Sequence, residues 1–220
     1  MPDVTKIALL DFDDVLFKTR EFIELAGKNF CLAGAKKAEL DLIYKKYRDQ
    51  LVSSGKVYHQ DNFVKHLAPK CPGFNPEIFA VLFQKNVVSV MKNLIYEDVG
   101  DFLNFLRKNG WRTIIISSGH PDWQRRKIVH SGIDELVDDI ILTKGRSKTE
   151  EVGRILSSFA PSEIIFIDDN YTGSVGAVKK AFPQIKVFQL VRQELAGQRE
   201  KVDCDHDCRT LDEIQKLLLS

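Results

Sequence analysis

Short apolar runs alternate with amphipathic stretches over much of the chain. Four runs are apolar at nearly every position, at 7–10, 113–116, 139–142 and 164–167, and the mixed segment 186–190 is a further strand candidate. Between them, apolar residues recur at three- and four-residue spacing, which predicts helices. Continuous apolar runs are typical of strands that are covered on both faces, and strands that alternate with helices predict a parallel sheet. We therefore expect an α/β protein with a doubly wound, Rossmann-like parallel sheet.

The segment 18–94 interrupts this alternation, because it has helical patterning and little strand signal. Its spacing predicts one helix over 36–52 and another that follows Pro76 and runs from Glu77 to about Leu94, with a breaker-rich loop between them. The segment follows the first strand directly, so we interpret it as a small helical domain inserted into the sheet domain. The predicted division is a core domain of residues 1–17 and 95–220 and a helical domain of residues 18–94.

Composition limits the partners and the compartment. The formal net charge is +1 and 44% of the residues are hydrophobic, which predicts a folded core and gives no indication of nucleic acid or an anionic membrane as a partner. No apolar run approaches the ~18 residues of a membrane span, and the N-terminus lacks the pattern of a signal peptide. The cysteines are few and irregularly spaced, which favours reduced thiols and a cytoplasmic location; they are Cys31, Cys71, Cys204 and Cys208.

Acidic side chains follow two of the predicted strands. Asp11 and Asp13 come after the first run, and Asp168 and Asp169 come after the run 164–167. The carboxyl ends of parallel strands share one edge of the sheet, where ligands collect. Carboxylate oxygens together with water are the ligands that Mg²⁺ prefers. If the two strands are neighbours, the acids predict a Mg²⁺ site.

Two further segments place polar groups at the same edge. Ser117, Ser118 and Gly119 end the second strand and offer a hydroxyl and backbone N–H groups to an anion. Lys148 precedes the helix that leads to the second acidic strand, where its charge could neutralise a phosphoryl group. Lys144 is an alternative for that role.

Taken in order, these residues resemble the motifs of the haloacid dehalogenase superfamily. The first motif, DxDx(T/V), stands as Asp11-Phe12-Asp13-Asp14-Val15. The second motif, a Ser or Thr at the end of a strand, matches Ser117, and the third, a Lys that opens a helix, matches Lys148. The acidic pair Asp168-Asp169 matches the fourth motif. The helical insertion occupies the position of the α-helical cap of this superfamily.

The resemblance implies a phosphatase mechanism. Asp11 would attack phosphorus and form an aspartyl phosphate, while Ser117, Ser118, Gly119 and Lys148 would hold the phosphate. Mg²⁺ would be held by Asp11, the carbonyl of Asp13, and Asp169 with or without Asp168. Asp13 would protonate the leaving oxygen and then activate water, which requires a raised pKa. The substrate would be a small phosphorylated metabolite.

Other functions remain open at this stage. A phosphomutase would share every core motif, and a catalytically weak phosphate-binding protein would share the fold. Carbon–halogen cleavage is disfavoured, because a halide needs no proton and Asp13 would have no purpose there. A signalling receiver domain has its acidic pair early and no large helical insertion, so the order of motifs in this chain disfavours it.

Overall fold

The structure, a computed structural model, describes residues 6–143, 145, 147–197 and 203–219. Its strands are β1 (Lys6–Leu10), β2 (Trp111–Ser118), β3 (Asp139–Thr143), β4 (Glu163–Asp168), β5 (Lys186–Leu190) and β6 (His206–Cys208). They form one parallel sheet in the spatial order β3-β2-β1-β4-β5-β6. This confirms the predicted doubly wound α/β fold.

The helices divide into two groups along the chain. Between β1 and β2 lie α1 (Thr19–Leu32), α2 (Lys37–Ser53), α3 (Gln60–Leu67), α4 (Pro76–Asn86) and α5 (Val99–Lys108). The later helices alternate with strands; they are α6 (Pro121–Ser131), α7 (Thr149–Phe159), α8 (Gly176–Ala181) and α9 (Leu211–Leu219).

The strand β1 is covered on both faces, as its continuous apolar run predicts. Ala8 and Leu10 belong to one hydrophobic cluster, while Ile7 and Leu9 belong to a second cluster on the opposite side. All four side chains are fully buried. Successive side chains of a strand point to opposite faces, so helices must pack on both sides of this strand.

The position of β1 in the sheet brings the acidic motifs together. It pairs with β2 on one side and with β4 on the other, and Leu10 lies opposite Ile167. The N–H of Asp11 donates to the carbonyl of Ile167 at 2.9 Å, which extends this pairing by one residue. The chain order reverses between β1 and β4, and the crevice at such a reversal is where open α/β sheets bind ligands.

The helices α1 to α4 surround a separate aromatic core. The rings of Phe30 and Phe79 stack with centroids 4.1 Å apart, and Phe63 meets Phe30 edge-on. The backbone at Gly34 packs closely against the backbone at Gly73, since a Cβ at Gly34 would lie 1.9 Å from the carbonyl oxygen of Gly73. These contacts support a cap with its own core, and the domain boundaries at 17/18 and 94/95 stay a prediction.

One predicted helix is shorter than its pattern indicates. The helix α4 ends at Asn86, and residues Val88–Leu94 form a 3₁₀ segment instead of continuing it. Val87, Val88 and Val90 are β-branched and therefore poor helix formers. The 3₁₀ segment returns the chain to the sheet domain, where Met91 and Leu94 are buried.

Among the residues that the structure describes, no helix combines the length and the apolar character that crossing a bilayer would require.

Candidate active site

Three carboxylates meet at the carboxyl ends of β1 and β4. One oxygen each of Asp11, Asp168 and Asp169 lies within 4.8 Å of the others, and all three residues are buried. Packing of buried carboxylates raises the energy of their ionised forms unless cations offset the charge. The predicted convergence of these acids is confirmed by the geometry, and the oxygen-only donor set fits a hard divalent cation.

Lys148 supplies a positive charge inside this cluster. Its Nζ lies 2.6 Å from Oδ2 of Asp168 and 2.7 Å from Oδ1 of Asp11, and the residue is 2% exposed. Burial lowers the pKa of Lys148, but the two carboxylates outweigh burial and raise it above its ordinary value. Lys148 therefore carries its charge. Lys144, the alternative, lies outside the described residues.

The negative charges of this group outnumber the positive one. Burial, together with Asp168 and Asp169, raises the pKa of Asp11 well above its usual range, although Lys148 opposes that rise. A divalent cation among the three carboxylates would remove this penalty on the ionised form of Asp11. Charge balance and donor chemistry thus agree that the group could hold a metal ion.

Asp168, the last residue of β4, and Asp169, which follows it, have different surroundings. Asp168 is fully buried; its Oδ2 accepts from Lys148, and its Oδ1 accepts the backbone N–H of Asn170 at 2.7 Å. Both oxygens of Asp168 therefore already have donors that fix the side chain. Asp169 is 5% exposed and offers a carboxylate oxygen to the cluster.

Asp13 lies beside the cluster in a tight turn that two phenylalanine rings support. Phe12 and Phe17 stack with centroids 4.9 Å apart beneath the turn, and Asp14 adopts a positive φ of 59°. The N–H of Asp14 donates to the carbonyl of Phe17 at 2.9 Å. This turn places the partly exposed Asp13 side chain at the mouth of a cleft.

Asp13 is held by three donors, and they reverse the expected direction of its pKa. Burial raises the pKa, but Lys127 at 2.5 Å and hydrogen bonds from Thr19 and Gln124 lower it below the usual value. The expectation of a raised pKa is not met in this structure. The physical reason is Lys127, whose ammonium favours the ionised carboxylate.

The side chains and backbone at the end of β2 form hydrogen bonds with neighbouring segments. Ser117 is buried, and its Oγ accepts from Nε2 of Gln124 at 2.8 Å. The hydroxyl of Ser118 lies 2.9 Å from that of Thr143, and the N–H of Gly119 donates to the carbonyl of Thr143 at 3.2 Å. Ser117, the second-last residue of β2, thus lies close to Asp13, since Gln124 contacts both. The phosphate-binding role of Ser117, Ser118 and Gly119 stays a prediction.

Sequence reasoning missed Gln124 and Lys127. Both are buried on α6, one helical turn apart, and both contact Asp13. A signal was present, because Gln124 and Lys127 lie between Trp123 and Ile128 on the face of the helix that is buried. A buried polar residue on an apolar helix face requires a partner, and that partner is Asp13.

A family model for haloacid dehalogenase-like hydrolases matches residues 5–181. The chain belongs to this family. The match covers most of the chain and includes all four motifs that carry the acids, Ser117 and Lys148. A comparison with curated proteins found no match.

Solved structures of other haloacid dehalogenase-like hydrolases have the same fold. A proposed hydrolase of this family from Burkholderia xenovorans has a TM-score of 0.70 at 16% identity, covering 96% of this chain and 95% of its own. YfnB from Bacillus subtilis, a proposed hydrolase solved with magnesium, has a TM-score of 0.61 at 15% identity, covering 97% and 98%. An L-2-haloacid dehalogenase from Xanthobacter autotrophicus has a TM-score of 0.65 at 15% identity, covering 98% of each chain.

These similarities establish the fold of the hydrolase and not its reaction. Dehalogenases are among the structural neighbours, so the choice between phosphate and halide chemistry depends on the side chains of the site.

Proposed function

We propose that this hydrolase cleaves phosphomonoesters with the help of Mg²⁺. The observation that carries the proposal is the buried cluster of Asp11, Asp168 and Asp169, whose carboxylates outnumber Lys148 and whose oxygens lie within 4.8 Å of one another. A reaction at a carbon–halogen bond has no need of a divalent cation or of a second acid such as Asp13. A phosphate dianion, in contrast, cannot approach Asp11 unless positive charge offsets the repulsion.

Asp11 is the proposed nucleophile. Its carboxylate oxygen would form a bond to phosphorus while the bond from phosphorus to the ester oxygen breaks, which gives an aspartyl phosphate and an alcohol. Lys148, which contacts Asp11 at 2.7 Å, would orient the carboxylate and interact with a phosphoryl oxygen. The hydroxyl of Ser117 would hold another phosphoryl oxygen.

Asp13 is the proposed carrier of the proton. It would give a proton to the departing ester oxygen and then take one from the water that attacks the aspartyl phosphate, so that phosphate leaves and Asp11 is regenerated. Thr19, Gln124 and Lys127 fix the Asp13 carboxylate and favour its ionised form, which is the form that the water step uses. Asp13 would therefore take up a proton from solvent before the ester oxygen departs, and it would return the proton that it takes from water to solvent at the end of the cycle.

Asp11 and Asp169 are the proposed principal ligands of Mg²⁺, with the Asp13 carbonyl. Asp168 would act mainly by holding Lys148, because both of its oxygens already accept hydrogen bonds. When bound, Mg²⁺ supplies charge that stabilises the phosphoryl oxygens during transfer.

The test is phosphate release from p-nitrophenyl phosphate by the purified chain. We expect turnover with Mg²⁺, none after chelation with EDTA, and a loss of about 10⁴-fold or more in Asp11→Asn. Asp212→Asn, an exposed carboxylate in the first turn of α9, is the matched control and should keep full activity.

Halide release from 2-chloropropionate serves as the competing assay. Halide release without phosphate release would refute the proposal, as would an Asp11→Asn variant with undiminished phosphatase activity. Conversion of a hexose 1-phosphate into an isomeric sugar phosphate, without inorganic phosphate, would identify a phosphomutase instead.

A further inference from the structure

A long cleft leads away from the proposed reaction centre into the cap. It has a volume of about 1060 Å³, and at one end it is lined by Asp13, Thr19, Gly119 and Lys127. From there it continues along the cap between α1 and α2. The helix α1 begins beside Asp13, because Thr19 donates to Oδ1 of Asp13 at 2.6 Å. The cleft is therefore continuous with the site that would hold the phosphate.

The walls of the cleft are largely apolar. Both helices contribute stripes of apolar side chains that recur at helical spacing; these are Phe22, Ala26 and Phe30 on α1 and Leu40, Tyr44 and Leu51 on α2. Tyr58 and Trp123 add aromatic surface to the cleft, and Trp123 lies next to Gln124, which contacts Asp13. Side chains at this spacing lie on one face of each helix, so the two stripes form an apolar lining along the cleft.

The cleft is long compared with a small metabolite. Its lining on α1 extends from Thr19 to Leu32, and a rise of 1.5 Å per residue makes this distance ~20 Å. Gly27 lies midway and contributes no side chain; a Cβ there would meet none of the described residues within 4 Å. This glycine keeps the middle of the cleft open.

Aliphatic side chains are exposed at several points of the cleft. Ile23, Leu32 and Val52 all line it, and their exposed fractions are 52%, 66% and 61%. Exposed aliphatic groups that adjoin a cavity mark a surface whose burial under an apolar ligand is favourable. Each methylene of a ligand that moves from water onto such a surface increases the affinity up to about fourfold.

Charged side chains of the cleft wall lie at its solvent-exposed positions, and these are Glu24, Lys28, Arg48 and Lys56. Two other polar groups of the wall have partners within the protein. The Tyr58 hydroxyl donates to Oε1 of Gln60 at 2.8 Å, and Lys37 pairs with Asp41 on the next turn of α2. Buried hydroxyls of a sugar would have to find new partners along this wall, and an unpaired buried hydroxyl weakens binding. A polar leaving group is thus a poor match for the apolar stripes of the wall, whereas a hydrocarbon chain needs no partners there.

We propose that the leaving group of the substrate is an elongated apolar chain, as in an alkyl or isoprenyl monophosphate. The chain would lie between α1 and α2 while the phosphate reaches Asp11. This inference rests on the phosphohydrolase function proposed above and specifies its substrate class.

The test measures phosphate release from n-alkyl monophosphates of increasing length, from butyl to dodecyl, each below its micelle concentration. We expect kcat/KM to rise by two- to fourfold per methylene until the chain fills the cleft. A rate that is flat or falls with chain length would overturn the inference, and continued turnover of p-nitrophenyl phosphate would then leave the phosphatase function standing.

The cleft is tested by Gly27→Trp, which places an indole in its open middle. We expect the ratio of kcat/KM for dodecyl phosphate to that for butyl phosphate to fall by at least tenfold. Gly100→Trp is the matched control, because Gly100 is also helical and is exposed on α5, where a Cβ would likewise meet none of the described residues within 4 Å. This control should keep the wild-type ratio.

A second variant covers the case in which Gly27→Trp fails to fold. Ile23→Glu puts a charge on an exposed position of the lining and should reduce the same ratio. Wild-type ratios in both variants would overturn the assignment of the chain to this cleft.

Calorimetric titration with dodecyl phosphate separates the two proposals if no ester is hydrolysed. Binding that strengthens with chain length and is lost in Gly27→Trp would support the apolar cleft, although the phosphatase function would have failed. Absence of chain-dependent binding would overturn the inference. So would a dimer that becomes monomeric in Gly27→Trp, because a second copy of the chain would then be the occupant.

Discussion

Replacement of Lys148 by methionine tests the charge balance of the buried site. Methionine has a similar shape and no charge, so Lys148→Met leaves Asp11 and Asp168 without the ammonium that lies 2.7 and 2.6 Å from them. Lys148 is 2% exposed and Asp168 is fully buried, so water cannot replace the lost partner.

The expected cost follows from this burial. Removing one member of a buried ion pair destabilises a protein by about 3–5 kcal/mol, because the remaining charge is left uncompensated. For a chain of this size, each kcal/mol lowers the melting temperature by about 2–4 °C. We therefore expect a decrease of about 6–20 °C in EDTA.

The pH of the assay must leave Lys148 charged. Because its pKa is raised in the folded protein, its contribution to stability is fully present below the ordinary lysine value and is lost only as the pH rises through the raised value. At pH 7.5 the contribution is complete. Thermal unfolding at this pH, followed by circular dichroism, measures the difference.

Lys46→Met is the matched control, since Lys46 is exposed on α2 and its loss should change stability by less than about 0.5 kcal/mol. Addition of Mg²⁺ should restore part of the stability of Lys148→Met, because the cation adds positive charge to the same carboxylates. A Lys148→Met protein that melts together with the wild type in EDTA would refute the reasoning on charge balance.

Two further predictions concern residues that the structure revealed. Gln124→Leu removes the donor shared by Asp13 and Ser117. Because hydrogen bonds to charged groups are strong, we expect kcat for p-nitrophenyl phosphate to fall by about 10- to 100-fold with little change in KM. An unchanged kcat would contradict the role of Gln124 in positioning Asp13. Burial and the neighbouring His120 lower the pKa of His59. The imidazole of His59 therefore takes up a proton when the protein unfolds, and the free energy of unfolding should fall as the pH drops below about 6.5. His59→Asn should show a smaller loss between pH 7 and pH 5 in urea denaturation, and an identical loss would argue against this assignment.

The sequence predicted the sheet well because its strands are buried on both faces. In β1, Ile7, Ala8, Leu9 and Leu10 are all apolar, and only a strand between two helical layers can bury every one of them. The acids that follow β1 and β4 were predictable for the same reason, since parallel strands deliver their carboxyl ends to one edge.

The surroundings of Asp13 were not predictable from local patterns. Lys127 is more than 100 positions away along the chain, and only the packing of α6 against the turn after β1 brings it to 2.5 Å. Its ammonium reverses the direction of the pKa that the motif alone implies for Asp13. Local spacing carries no information on such contacts.

The apolar runs and the spacing of the acids determined the fold and the edge of the sheet that bears the candidate site, and the resemblance to the family's motifs singled out Asp11, Asp168 and Lys148. These features depend on periodicity and strand direction, which are local properties of a chain. The tertiary structure alone decided which donors hold Asp13 and that α1 and α2 leave an apolar cleft between them. Both depend on how helices that are far apart in the sequence pack against one another. The spacing of residues within one segment carries no information on that packing.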